Sequence, residues 1–166
     1  DPAMADNGKL YSGFDEDYVR AIGSLAGKAD IILPNVTEAA ILSGLPYQEN
    51  IDRNYVNQLL NGLNHPCAVL TGVDFDEDST GIVLQEGTVQ HEYRHKRIGN
   101  GCHGTGDIFA AVFTGALMQG KNRLDAAKIA ADFTCRCIEN TVNAPAHWYG
   151  VKFEPLLPEL MEMPGR

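Results

Sequence analysis

The stretch NGCHGTGDIFAA, residues 100–111, joins a glycine-rich loop to the start of an apolar segment. Glycine lets the backbone turn tightly and approach a ligand closely, and the run from Ile108 to Phe113 predicts a helix that is apolar on most sides. Asp107 then falls in the first turn of that helix, where free N–H groups and the helix dipole stabilise an anion. The stretch therefore predicts either a capped helix after a loop or an anion site, and both readings stay open at this point.

The segments around this stretch alternate between helical and strand-like patterns. The helix-like segments are 14–25, 37–42, 54–63, the stretch itself to 119, and 124–140. The strand-like segments are 31–33, 67–70 (closing at Thr71-Gly72), 80–85 and 88–96, the last two forming a hairpin at Glu86-Gly87. Gly120 predicts a helix stop, and the tail with Pro145, Pro155, Pro158 and Pro164 is expected to be mostly irregular. This alternation predicts an α/β fold with a mostly parallel sheet covered by helices.

Composition excludes several classes of function. The chain of 166 residues fits one domain, and its formal net charge of −9 argues against a nucleic-acid or anionic-membrane surface. No apolar run approaches the ~20 residues of a membrane helix. The four cysteines lack zinc-ribbon spacing and the histidines are scattered along the chain, so a reduced, cytoplasmic setting without a zinc site is expected. Because the chain opens on Asp1-Pro2 without an initiator Met, we expect it to be cut from a longer protein.

Three polar segments fall at strand ends or helix starts of the predicted sheet. They are Asp1–Asp6, Asn35-Val-Thr-Glu38 and Gly104-Thr-Gly-Asp107. Open α/β sheets bind ligands at the carboxyl edge of their strands, where we expect these segments to meet. Their carboxylates and the Asn35 carboxamide suit a magnesium ion with bound phosphates. The glycine loop would supply backbone donors to a transferring phosphoryl group.

These residues carry a family resemblance. Gly104-Thr-Gly-Asp107 matches the catalytic signature of the ribokinase-like (PfkB-type) small-molecule kinases, and Asn35-Val-Thr-Glu38 matches their N-x-x-E motif. The segment from Asp1 to Gly8 is similar to the D-P-V-M-G-D-x-G stretch of the pyridoxal/pyridoxine (vitamin B6) kinase branch, with Ala3 and Ala5 in place of Val and Gly. The resemblance runs from Asp1 to about Met161 and covers only the C-terminal part of a family member.

The resemblance implies an architecture. It is a three-layer ribokinase-like α/β fold, with a mostly parallel central sheet flanked by helices and a β-hairpin, and with the N-terminal strands and lid absent. Residues 1–166 would be the C-terminal ATP-binding and catalytic portion of a single domain.

The resemblance also implies roles for individual residues. Asp107 would be the general base that takes the proton from the substrate's hydroxymethyl group, and Gly104, Thr105 and Gly106 would form the anion hole. Glu38 and Asn35 would organise magnesium and its waters, with Asp6 and Asp1 reaching the metal or the phosphates. The nucleotide would contact Thr71 and Gly72, and the hairpin and the helices after Asp107 would border the adenine.

The implied reaction is transfer of phosphate from ATP to pyridoxal, pyridoxine or pyridoxamine, with Mg²⁺ as cofactor and the monovalent-cation requirement left open. The implied partners are the B6 vitamer and ATP, with no nucleic acid or membrane, and the whole protein would be a cytoplasmic homodimer. Two alternatives stand beside this reading. One is a hydroxymethylpyrimidine, its phosphate or a sugar as substrate, and the other is a non-catalytic nucleotide-binding fragment.

Two neighbouring features favour different branches of the family. Cys102-His103 before the glycines is closer to the hydroxymethylpyrimidine kinase pattern. Those relatives commonly carry Cys where Asp107 stands, so Asp107 favours the B6 branch. The roles of Cys102 and His103 stay unassigned.

Overall fold

The computed structural model of the protein describes residues 1–99, 102–144, 147 and 149–161. Asn100 and Gly101 of the glycine-rich stretch, and Pro145 and Pro164 of the tail, lie outside the described residues. The chain divides into two compact units, Asp1–Arg94 and His95–Arg166. A single ribokinase-like domain over residues 1–166 stays a prediction.

The first unit contains three helices that begin and end at the signals in the sequence. They are α1 (Glu16–Ala26), α2 (Val36–Ser43) and α3 (Arg53–Leu63). Each begins after an Asp or Asn whose side chain accepts a backbone N–H of the first turn, namely Asp15, Asn35 and Asp52. Gly44 ends α2 at φ 69°, in the left-handed region that glycine adopts without strain. The predicted helices are therefore confirmed.

The first unit also contains two β-structures. A small hairpin pairs β1 (Ala5–Asp6) with β2 (Lys9–Leu10). A three-stranded sheet has the order β3 (Cys67–Asp74), β4 (Ser79–Glu86), β5 (Val89–Lys96), and β3 and β4 are antiparallel. The predicted hairpin of the last two strands is confirmed.

Parallel pairing is present, but it is short. Within the described residues it consists of two bridges, Ile32 with Ala68 and Asn35 with Thr71. Pro34, which has no N–H, interrupts the segment between them. The polypeptide at residues 32–35 therefore runs beside β3 without forming a regular strand.

The predicted end of the strand at Thr71-Gly72 is wrong. β3 shifts its register against β4 between Thr71 and Val73 and continues to Asp74. Gly72 has φ +66°, which lets the chain bulge and still resume pairing. The two residues therefore lie at a β-bulge inside the strand.

The core of the first unit lies between the helices and the face of β3. Its cluster includes Val36 from α2, Leu59 and Leu60 from α3, and Leu70 from β3. Tyr55 is buried in the same cluster, and its hydroxyl donates to the Pro46 carbonyl at 2.8 Å. This packing fixes the N-terminus of α2 beside β3.

The second unit is built on two helices, α4 (Thr105–Met118) and α5 (Arg123–Val142). Gly120, at φ +83°, follows the end of α4 and confirms the predicted stop. The tail is less irregular than expected, because a 3₁₀ turn (Glu154–Leu156) leads into a short helix, α6 (Leu157–Met161). Proline is tolerated in the first turn of a helix, which explains the difference.

Among the described helices, none is both long and apolar enough to cross a membrane.

The four cysteines all lie within the described residues, and none of them forms a disulfide there. Cys137 is buried in α5, as a core-filling residue should be. Cys135 is half-buried, and its Sγ lies 2.9 Å from Nδ1 of His95. Burial raises the pKa of Cys135 to about 11, and the nearby carboxylates of Glu139 and Asp132 act in the same direction.

Candidate functional site

The N-terminus of α2 forms a capping box. The Asn35 side chain accepts the backbone N–H of Glu38 at 2.9 Å, and the Glu38 carboxylate accepts the backbone N–H of Asn35 at 2.9 Å. The Asn35 Nδ2 also donates to the Ala5 carbonyl at 2.8 Å. The N-x-x-E segment is therefore both a helix cap and a connection to the segment that carries Asp6.

Glu38 lies almost entirely inside the first unit, with 2% of its surface exposed. Its Oε1 accepts the backbone N–H of Met4 at 2.8 Å and that of Ala5 at 3.5 Å. Burial raises the pKa of the Glu38 carboxyl, and the backbone N–H groups of Asn35, Met4 and Ala5 oppose that rise. The carboxylate thus links two segments of the chain through backbone donors.

Asp6 lies in the β1–β2 hairpin, at the end of β1. Its two carboxylate oxygens accept the backbone N–H and the Nδ2 of Asn7 at 2.9 and 3.0 Å. Both Asp6 and Asp1 are exposed. The Asp6 carboxylate therefore faces solvent with lone pairs to spare.

Thr71 is the residue of β3 that lies beside this helix start. Its backbone N–H donates to the Pro34 carbonyl at 2.9 Å, and it bridges Asn35 in the parallel sense. Gly72 next to it is exposed at the bulge. The structure thus brings Asn35, Glu38 and Thr71 together, and their roles toward a nucleotide stay predictions.

The donor set of the first unit fits a hydrated magnesium ion at Asp6, because an exposed carboxylate offers the hard oxygen that magnesium prefers. Within the described residues, no cluster of three or more His, Cys, Asp or Glu side chains could hold a metal alone. Water and phosphate oxygens would complete the shell. Direct coordination by Glu38 stays a prediction, because its carboxylate is buried and already accepts three backbone N–H groups.

The second unit holds the GTGD segment at the start of α4. Gly104 is the N-cap at φ 89°, a conformation that favours glycine, and no side chain caps the helix. Thr105, Gly106 and Asp107 form the first turn, and Gly106 and Asp107 are exposed. The first-turn N–H groups of a helix have no partner within that helix. The predicted helix start with Asp107 in its first turn is confirmed, and anion binding at these N–H groups stays a prediction.

The tail supports this loop through contacts that the sequence did not indicate. The backbone N–H of Val151 donates to the His103 carbonyl at 3.0 Å. Gly150 has φ +104°, and a Cβ there would lie 3.3 Å from the same carbonyl. The Gly150 turn is the signal that could have pointed to this contact.

Cys102 and His103 differ in exposure. The His103 side chain is exposed, whereas Cys102 is half-buried and its thiol bonds to the Thr141 side chain. Burial raises the pKa of the Cys102 thiol against the effect of that bond. Thr141 also accepts the backbone N–H of Lys152 at 2.8 Å. Both residues thus lie where the tail meets the loop.

An apolar pocket of about 230 Å³ opens along α4, beginning at Ile108, the residue after Asp107. Phe133 of α5 and Phe153 and Leu157 of the tail also line it, and its polar lining residues are Gln119 and Lys121. Apolar walls of this kind suit a flat ring. The placement of the adenine by these helices stays a prediction, as does the shared sheet edge for the three motif segments.

Known proteins resemble this chain over most of its length. The family model described as phosphomethylpyrimidine kinase matches residues 1–151. The hydroxymethylpyrimidine/phosphomethylpyrimidine kinase of Bacillus subtilis is 28% identical over 144 residues, which are 86% of this chain and 53% of that protein. The chain therefore spans about half the length of the curated relatives it matches.

Solved structures of kinases are also similar to this chain. The pyridoxal kinase of Lactobacillus plantarum is 34% identical with a TM-score of 0.83, over 97% of this chain and 59% of that one. The pyridoxal kinase of Leishmania donovani, solved with ADP and pyridoxine, is 24% identical with a TM-score of 0.85, over 98% and 57%, and is evidence on the fold alone. These likenesses confirm the α/β fold expected from the sequence. With the family model matching residues 1–151, the chain belongs to the phosphomethylpyrimidine kinase family of the ribokinase-like superfamily.

Proposed function

We propose that the chain carries the nucleotide-binding and catalytic portion of an ATP-dependent kinase that phosphorylates the hydroxymethyl group of pyridoxal, pyridoxine or pyridoxamine. The observation that carries this proposal is the start of α4, where Gly104 in the left-handed region exposes the first turn and Asp107 stands on it. The 34% identity to the Lactobacillus plantarum pyridoxal kinase supports the choice of substrate.

The reaction is an in-line transfer. The substrate's hydroxymethyl oxygen forms a bond to the γ-phosphorus of ATP while the bond from that phosphorus to the β,γ-bridging oxygen breaks and ADP leaves. Asp107 accepts the hydroxyl proton, and the backbone N–H groups of Gly104, Thr105 and Gly106 face the charge on the moving phosphoryl group. Positioning and neutralisation of charge carry most of the catalysis in such reactions, so one base and one donor cluster suffice.

The first unit supplies the groups for the metal and the nucleotide. Magnesium, when bound, would neutralise phosphate charge. Asp6 would hold it through an exposed carboxylate, and Asn35 and Glu38 would organise the segment around it. Thr71 and Gly72 would contact the nucleotide through the exposed backbone of the β-bulge, and Asp1 would lie near the phosphates.

A second candidate is the phosphorylation of hydroxymethylpyrimidine or its phosphate. The family model and the 28% identity to the Bacillus subtilis enzyme favour it, and it uses the same chemistry on a similar hydroxymethyl group. Competition between pyridoxal and hydroxymethylpyrimidine for turnover would separate the two substrates. Turnover of the pyrimidine alone would reverse our order.

The test of the reaction is Asp107→Asn. Loss of a general base lowers the rate by about 10² to 10⁴, so substrate-dependent ADP formation should fall by at least about 100-fold. The matched control is Asp125→Asn, because Asp125 occupies the same position in the first turn of α5. Calorimetry of Mg-ATP binding adds a readout that does not need turnover. Full activity in Asp107→Asn would refute the assigned base.

A further inference from the structure

The hairpin that carries Asp6 is too small to hold its own position. β1 and β2 have two residues each, and Asn7 and Gly8 form the turn between them with φ +49° and +75°. A two-stranded hairpin is at best marginally stable by itself in water. Its position must therefore come from contacts with other parts of the first unit.

Two of these contacts hold the base of the hairpin. Glu38 accepts the N–H of Met4 at 2.8 Å, and Asn35 donates to the carbonyl of Ala5 at 2.8 Å. Both contacts precede the turn in the chain. They fix where the hairpin begins, and a third contact fixes the direction of its tip.

Thr37 makes the contact at the tip. Its side chain is buried, with 3% of the residue exposed, and its Oγ1 accepts the backbone N–H of Gly8 at 3.0 Å. Gly8 also lies against the ring of Tyr47, where a Cβ on Gly8 would stand 2.7 Å from the ring carbon Cδ1. The turn is thus held by one hydroxyl group and one aromatic ring.

The direction of the Asp6 carboxylate follows from this turn. Both of its oxygens accept hydrogen bonds from Asn7, the neighbour of Gly8. A displacement of the turn would therefore carry the carboxylate with it. We infer that Thr37 is a positioning residue, whose hydroxyl fixes the Asn7–Gly8 turn and thereby aims Asp6. That this position of the Asp6 carboxylate matters for magnesium binding rests on the proposed function.

The experiment compares Thr37→Val, which removes the acceptor at nearly constant shape, with Thr37→Ser, which keeps it. Thr37→Ala is the second variant if Val disturbs folding. The control is Thr134→Val, because Thr134 is also buried and its hydroxyl has no hydrogen-bond partner among the described residues. Two quantities are measured on the protein: amide hydrogen exchange at Asn7 and Gly8, and the Mg²⁺ concentration that half-saturates ADP binding.

We expect the Gly8 amide to exchange about tenfold faster in Thr37→Val than in the wild type, because one part-buried hydrogen bond is lost. Exchange at Asn7 should rise as well, and the half-saturating Mg²⁺ concentration should rise about fivefold. Thr37→Ser should restore these values, and Thr134→Val should not change them.

Unchanged exchange in Thr37→Val would overturn the inference, and so would faster exchange with the same Mg²⁺ dependence. A wild type that binds no Mg-ADP would instead contradict the proposed function. In that case the exchange rate at Asn7, whose N–H bonds to Asp6, decides the inference alone. A rise in Thr37→Val supports it, and no change overturns it.

Discussion

Replacement of Asn35 separates the two tasks of its side chain. The Oδ1 atom caps α2 by accepting the N–H of Glu38, and the Nδ2 atom donates to the Ala5 carbonyl at 2.8 Å. A helix cap contributes about 1 kcal/mol, and a hydrogen bond to a buried carbonyl contributes about 1 kcal/mol, or more when the carbonyl is left without a partner. Ala5 is fully buried. We therefore expect Asn35→Ala to lower the free energy of unfolding by about 2 to 3 kcal/mol.

Asn35→Ser keeps a capping oxygen and loses the bond to Ala5, so its cost should be about 1 kcal/mol. The matched control is Asn122→Ala, because Asn122 caps α5 by accepting the N–H of Asp125 at 2.8 Å and its Nδ2 bonds within the same helix turn. That change should also cost about 1 kcal/mol, the contribution of a cap.

Urea unfolding followed by circular dichroism gives these free energies, and amide exchange at Glu38 reports the cap directly. Exchange should be slow in the wild type and in Asn35→Ser, and fast in Asn35→Ala. Equal losses for Asn35→Ser and Asn35→Ala would refute the reasoning, since the cap would then contribute nothing. A loss in Asn35→Ala no larger than that in Asn122→Ala would refute the contribution of the bond to Ala5.

Three further predictions concern other groups. Burial raises the folded pKa of Glu38 above its ordinary 4.5. The stability linked to its proton is therefore fully present below pH 4.5 and is lost as pH rises through the folded pKa. The difference in urea midpoint between the wild type and Glu38→Gln should accordingly shrink as pH rises. Gly104→Ala should destabilise the start of α4 by about 1 to 3 kcal/mol, because φ 89° is strained for alanine. Gly106→Ala is the control, because open space surrounds the added methyl group, and it should be neutral or stabilising. Thermal unfolding measures both. Since burial raises the pKa of Cys135 to about 11, its alkylation rate in the folded protein, followed by mass spectrometry, should keep rising with pH up to that value. A rate that levels off near pH 9 would contradict this.

The helices could be predicted because their signals are local. Asn35 before α2 and Gly44 after it act through atoms within a few residues, and Gly120 after α4 does the same. The predicted helix limits differ from the structure by a residue or two, which is the usual variation at helix ends. The acidic residue in the first turn of α4 was predictable for the same reason.

The strands that were missed depend on distant partners. Gly72 ends a pattern in the sequence, but β4 continues the pairing beyond the bulge to Asp74. Asn7-Gly8 is a strong turn signal for a hairpin, yet its flanking strands are too short to show alternation. The hairpin is held by residues about 30 positions away in the chain: Glu38 accepts the N–H groups of Met4 and Ala5, and Thr37 accepts that of Gly8.

The N-x-x-E segment shows why a motif can indicate a site without giving the task of each residue. Its spacing is that of a capping box, which any helix can use, and the same two side chains also bond to Met4 and Ala5. Loss of nucleotide binding in a Glu38 variant would therefore not identify Glu38 as a magnesium ligand, because the hairpin that carries Asp6 would lose its anchor too. The distinction requires a variant that moves the hairpin and leaves Glu38 in place. Thr37→Val is that variant, since the Thr37 hydroxyl bonds to the backbone N–H of Gly8 at the tip of the turn.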